Sequence, residues 1–197
     1  MHRNIEVADG SPTSCQLDAA RERKPVEQGR IDRLCGLYAA INGLRLAVPL
    51  PPHRDRMIFE AAVQYLDERG WLSAVLTEGM PNHLFASLVR HLARSHSLRV
   101  ERAPVPARSM ARESPMEAER VVIAAILGGM PVFVSIDKPL DHYSIICGYS
   151  PKRWHLFDSY GYRWLSRSHC TFERQRNARH RLTAWIVGQA PSARRRG

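Results

Sequence analysis

After Gly128-Gly129 the apolar residues of this chain change their period, and that change decides what the chain can fold into. Upstream they recur every three or four positions, which places them on one stripe of a helix. Downstream they gather in short β-branched and aromatic runs between turn residues. Leu37, Ala40, Ile41 and Leu44 mark a helix that opens at Cys35 and ends at Pro49-Leu50-Pro51-Pro52, because proline lacks the N–H a helix interior needs. Met57, Ile58, Ala61, Ala62, Tyr65 and Leu66 mark a second helix, closed by Gly70. Leu84, Leu88, Val89 and Leu92 mark a third after Pro81, and Ser114 with Glu117 resembles the capping box of a fourth that runs to Leu127. The segment Ser97 to Glu101 reads as an edge strand, and the runs Pro131 to Ile136, His142 to Tyr149, Trp154 to Phe157 and Leu182 to Val187 read as further strands. Helices first and strands after predict an α+β fold of two layers, an N-terminal helical layer packed on a C-terminal antiparallel β-sheet.

With 197 residues and 44% apolar content the chain can bury one sizeable core. Residues 1–25 are polar and without periodicity and read as a flexible arm; 26–189 form the domain; 190–197, containing Arg194-Arg195-Arg196, read as a basic disordered tail. Residues 103–115, with Pro104, Pro106 and Pro115, read as an exposed connection. The formal net charge of +10 comes almost wholly from arginine, since the only lysines are Lys24, Lys138 and Lys152. Arginines spread over many segments fit a solvated face and leave room for an acidic protein partner; nucleic acid is not expected, because no nucleic-acid-binding motif is present. The cysteines at 15, 35, 147 and 170 lack C-x2-C spacing, so neither a metal site nor a cofactor is expected, and a chain of this size does not need a disulfide framework. The N-terminus lacks the apolar stretch of a signal peptide and no eighteen consecutive residues are apolar, so the expected location is cytoplasmic, or secreted without a cleaved signal.

Cys35 opens the first amphipathic helix, and the field at a helix N-terminus favours thiolate over thiol. Gly36 beside it has no Cβ and would let a substrate carbonyl approach the backbone. A cysteine nucleophile needs a general base. His2, His53, His91, His96 and His180 lie in polar or arginine-rich surroundings, whereas His142 opens a β run directly after the turn Lys138-Pro139-Leu140-Asp141. The next run ends at Asp158. If the two runs pair through the reversal Ser150-Pro151-Lys152-Arg153, Asp158 comes close to His142. Cys147 reads as core and Cys15 and Cys170 carry no signal. Trp154, Trp164 and Trp185 read as core anchors, with Trp164 able to reach a cleft.

Cys35-Gly36-Leu37-Tyr38-Ala39-Ala40, followed far downstream by His142-Tyr143-Ser144-Ile145-Ile146 and then by Asp158-Ser159-Tyr160-Gly161, resembles the papain-like cysteine peptidases. Within them it is most similar to the bacterial bacteriocin-processing peptidases that cut after double-glycine leaders, over about Gln28 to Trp164. Leu34 stands where that family has an aspartate, with Asp32 displaced, and Gln28 lies seven residues before Cys35. The resemblance implies a papain-like fold, a peptide or protein substrate, and hydrolysis of peptide or isopeptide bonds through a Cys-His-Asp triad and a thioester. Cys35 would attack the carbonyl, His142 protonate the leaving amine, Asp158 orient His142, and Gln28 with the Cys35 N–H bind the oxyanion. Substrate contact is expected from Gly36, Tyr143 and Trp164. The same triad would serve a glutamine deamidase or transglutaminase of the effector type, and a non-catalytic basic binding module on this scaffold is the third reading.

Overall fold

A computed structural model describes residues 14–29, 32–51, 54–103, 115–137, 139–172 and 178–189. In chain order these form β1 (Cys15–Gln16), α1 (Asp18–Glu22), α2 (Cys35–Ala47), α3 (Arg54–Asp67), α4 (Leu72–Glu78), α5 (Asn82–Arg94), β2 (Leu98–Arg102) and α6 (Pro115–Leu127). Then follow β3 (Val132–Ile136), β4 (His142–Tyr149), β5 (Arg153–Leu156), β6 (Trp164–Ser166), β7 (Cys170–Thr171) and β8 (His180–Gln189). The protein is a mixed α+β molecule with helices preceding a largely antiparallel sheet. The sheet runs β2-β8-β3-β4-β5-β6, with β1 added to β4 and β7 lying parallel to β8. The segment read as an edge strand does lie at one end of the sheet.

Every residue of β3 and β4 is buried, so both faces of the sheet centre are covered. On one face α2 and α5 pack on an aromatic cluster in which Phe85 stacks on Tyr143 at 4.3 Å and meets Phe133 and Trp185 at 5.7 and 5.2 Å. Helix α2 rides directly on β3: a Cβ at Gly43 would stand 2.0 Å from the Phe133 ring, so only glycine permits this approach. Helix α6 packs on the same central strands with Val122, Ile123 and Ile126 buried, and it covers the opposite face. The molecule therefore has three layers where two were expected, because β3 and β4 are apolar on both faces and need two covers.

Residues 14–25, read from composition as an arm, are built into the domain. Cys15 and Gln16 bridge Tyr149 and Gly148, and the N–H of buried Leu17 donates to Cys147 O at 2.7 Å. The strap that follows runs along α2. The amide of fully buried Asn42 accepts from Val26 N at 2.8 Å and donates to Val26 O at 3.0 Å, Arg45 donates to Lys24 O at 2.9 Å, and Arg23 donates to the carbonyls of Arg45 and Val48. A two-residue bridge and side-chain-to-backbone bonds leave no periodic trace in a sequence. Helix α4 was also missed: it spans only seven residues and buries only Val75. The capping box at Ser114, most of the 103–115 connection and the 190–197 tail lie outside the described residues.

Candidate active site

Cys35 is the first residue of α2, and no side chain caps that helix; the preceding Leu34 offers none. The first N–H groups of a helix have no intrahelical acceptor, so those of this turn remain available to an incoming oxygen. Asp32, three residues before Cys35, accepts from Gly29 N at 3.0 Å and Leu34 N at 3.1 Å, drawing together the strap and the start of the helix.

His142 begins β4 immediately after Asp141, whose φ of +47° turns the chain sharply into the strand. Its Nε2 lies 2.7 Å from Asp158 Oδ2, which leaves Nδ1 as the nitrogen for Cys35, whose side chain shares the cleft and acts on the charge of the ring. Burial of the ring opposes its charge, but the hydrogen bonds and charges of Asp158 and Cys35 outweigh burial and push the His142 pKa up to about 9. The Asp158 side chain is fully buried, which alone would favour the neutral acid; its bonds to His142 and to backbone N–H groups hold its pKa below the usual carboxylate value. Those N–H donors are Tyr160 at 2.9 Å and Tyr162 at 3.1 Å, both on Oδ1, in a turn closed by Gly161 at φ +96°.

A β-bulge aims Asp158 at His142. Tyr149 pairs Trp154 and Gly148 pairs His155, but Ile146 pairs Leu156, so Cys147 is the extra residue. Phe157 N donating to Ile145 O carries the shifted register onward, which sets Asp158 opposite Ser144 and on the side of the sheet shared with His142. Without the bulge Asp158 would oppose Ile145 and face the other side.

Gln28 is fastened twice to the residue after Asp158. Its N–H donates to Ser159 O at 3.1 Å, and its Oε1 accepts from Ser159 Oγ at 3.1 Å. The amide oxygen is thereby occupied, and among the described residues no acceptor takes Nε2. Gln28, Cys35 and His142 line one cleft of about 570 Å³.

The structure thus brings Cys35, His142, Asp158 and Gln28 together, and it leaves two other residues out of the cleft lining. Gly36 is buried, and a Cβ there would meet Tyr143 at 3.3 Å and Met80 at 3.4 Å, so its missing side chain serves helix packing and opens no path for a substrate. Trp164 lies on edge strand β6 under the Arg153 guanidinium at 4.2 Å, 47% exposed and away from the cleft, so it is neither core nor substrate wall. Tyr143 does line the cleft, but its hydroxyl is held between Met80 O at 2.8 Å and Asn82 Oδ1 at 2.7 Å, with one proton to give to the pair. Burial pushes its phenol pKa up, which keeps that donor protonated to hold the Gly79–Pro81 wall. Sequence reading missed Trp71 and Glu78 at the two ends of α4 and the pair Tyr160 and Tyr162; the aromatics either side of Gly161, just after Asp158, were the available signal.

Cys147 is buried core with its pKa pushed up to about 12 by burial, and none of the four thiols is in a disulfide. Among the described residues no three His, Cys, Asp or Glu side chains are grouped to hold a metal ion, and no helix is long and apolar enough to cross a membrane. Compared with models of known protein families, with curated proteins and with solved structures, the chain gives no match.

Proposed function

We propose that this protein is a papain-like cysteine hydrolase that cleaves peptide or isopeptide bonds. The observation that carries the reading is the buried His142–Asp158 pair at 2.7 Å, whose imidazole shares one cleft with the sulfur at an uncapped helix N-terminus. Cys35 reacts as the thiolate of an ion pair with the His142 imidazolium. Its sulfur forms a bond to the amide carbonyl, and the oxygen takes the negative charge. The Cys35 N–H and Gln28 Nε2 donate to that oxyanion. His142 hands its proton to the amine as the C–N bond breaks, leaving a thioester. Water then gives a proton to His142 and hydroxide to the acyl carbon, and the thiolate departs. Asp158 keeps the ring oriented throughout and favours its charged form before each proton is handed on, while Ser159, by occupying the Gln28 oxygen, turns the amide nitrogen toward the cleft.

Labelling with a limiting neutral alkylating agent at pH 7, followed by peptide mapping, tests the reading. Cys35 should react well ahead of Cys15, Cys147 and Cys170, and His142→Ala should slow it sharply. In a peptide-library assay Cys35→Ala should abolish turnover, and Gln28→Ala should lower kcat by about 10²–10³-fold, the usual loss of one oxyanion donor, while leaving alkylation unchanged. Equal labelling of all four thiols in the folded protein would defeat the proposal. A one-dalton gain in a glutamine peptide without cleavage would move the chemistry to deamidation.

A further inference from the structure

The cleft differs in charge from the molecule around it. The chain carries a formal net charge of +10, yet beside the Cys35–His142 pair the cleft is bordered by Asp32, Glu78 and Asp141 against Arg33. Both Asp32 oxygens are bonded to backbone N–H groups. Glu78 and Asp141 are exposed, and neither has an ion-pair partner among the described residues.

A separate observation concerns the rings. Trp71, Tyr160 and Tyr162 are 40%, 58% and 37% exposed, and all three border this same cleft. Large exposed aromatics gathered round one opening mark a binding surface, and their faces attract cations. They stand in two groups, each with a carboxylate. Trp71 and Glu78 border the cleft from the two ends of α4, with the small Ala74 between them. Tyr160 and Tyr162 stand edge-on to the His142 ring at 6.4 and 5.4 Å, and Asp141 is the residue before that histidine.

We propose that the cleft selects peptide segments carrying an arginine or lysine side chain next to the bond to be cut. The aliphatic stem of such a side chain would lie on the rings while its charged end meets Glu78 or Asp141. The arginines elsewhere do not cancel this preference, because at physiological salt their fields decay over about 8 Å, whereas the cleft carboxylates would touch the ligand. The inference deepens the hydrolase reading and rests on it for the position of the cut bond.

Binding and cleavage separate the two claims. Ten-residue fluorescent peptides on a glycine-alanine background, with one arginine or its uncharged isostere citrulline placed at each position in turn, are titrated into Cys35→Ala protein. At one or two positions the arginine peptide should bind at least tenfold tighter, and added salt should narrow the gap. Glu78→Gln with Asp141→Asn in the same background should erase it; asparagine tolerates the left-handed backbone at 141, so the turn is retained. Glu78→Gln alone, away from that turn, should reduce it. Equal binding of arginine and citrulline peptides at every position overturns the proposal, as does a preference that survives the double substitution. Wild-type protein is then given the same peptides. Cleavage without charge preference leaves the hydrolase standing and overturns the cationic selection; preferential binding without any cleavage supports the selection and overturns the hydrolase.

Discussion

Burial alone would strip the proton from His142; Asp158 and Cys35 hold it there, with the imidazole pKa at about 9. In the proposed mechanism that proton goes to the leaving amine, so kcat/KM should fall as pH rises through about 9. Asp158→Asn removes the charge but keeps the shape. Burial then regains the upper hand, and the alkaline limb should move down by more than one pH unit, with kcat at pH 8 lower by roughly 10²–10⁴-fold, the usual share of a positioned acid. Rate profiles of the two proteins from pH 5 to 10 decide it; an unmoved limb would show that another group sets it. The residue types for this chemistry could be read directly, since a cysteine at a helix start and a histidine at a strand start are local features. Where Gly36 and Trp164 point could not, because a glycine next to a nucleophile and a tryptophan near a turn face whatever the tertiary packing puts against them.

At the scale of elements, the strap before α2 delivers Gln28, and a single buried amide fixes it. Asn42 sits two turns after Cys35 on the same helix and takes both backbone groups of Val26, two residues before Gln28. Asn42→Ala leaves the part-buried N–H and C=O of Val26 unpaired, which should cost at most roughly 1–3 kcal/mol each, read from chemical unfolding. The strap should loosen, so kcat should fall toward that of Gln28→Ala while Cys35 alkylation stays near the wild-type rate. A variant as active as wild type would mean that the Ser159 bonds alone hold Gln28. The helices with long stripes and the apolar strands were legible because periodicity records burial. The strap and the register shift at Cys147 were not, because both depend on backbone partners distant in sequence, which no local pattern of side chains encodes.

For the whole molecule, the site's charges enter the stability of the fold. The folded His142 pKa of about 9 lies above the ordinary 6.5, so its contribution is complete below pH 6.5 and is lost as pH rises through 9. Asp158, held below its ordinary value of 3.8, contributes above that pH and loses its effect as acid protonates it in the folded state. The other shifted groups act outside the interval from 6.5 to 9. His91, His155 and His180 are lowered by burial and matter below 6.5, while Cys147 and Cys170, raised by burial to about 12, matter above 9. Arginine, the source of nearly all the positive charge, does not titrate there either. Urea unfolding between pH 6.5 and 9.5 should therefore show wild-type stability declining relative to His142→Gln, by on the order of 3 kcal/mol over the full interval. Parallel curves for the two proteins would mean that the folded state does not hold a charged imidazole, and the ion pair proposed for catalysis would lose its thermodynamic basis.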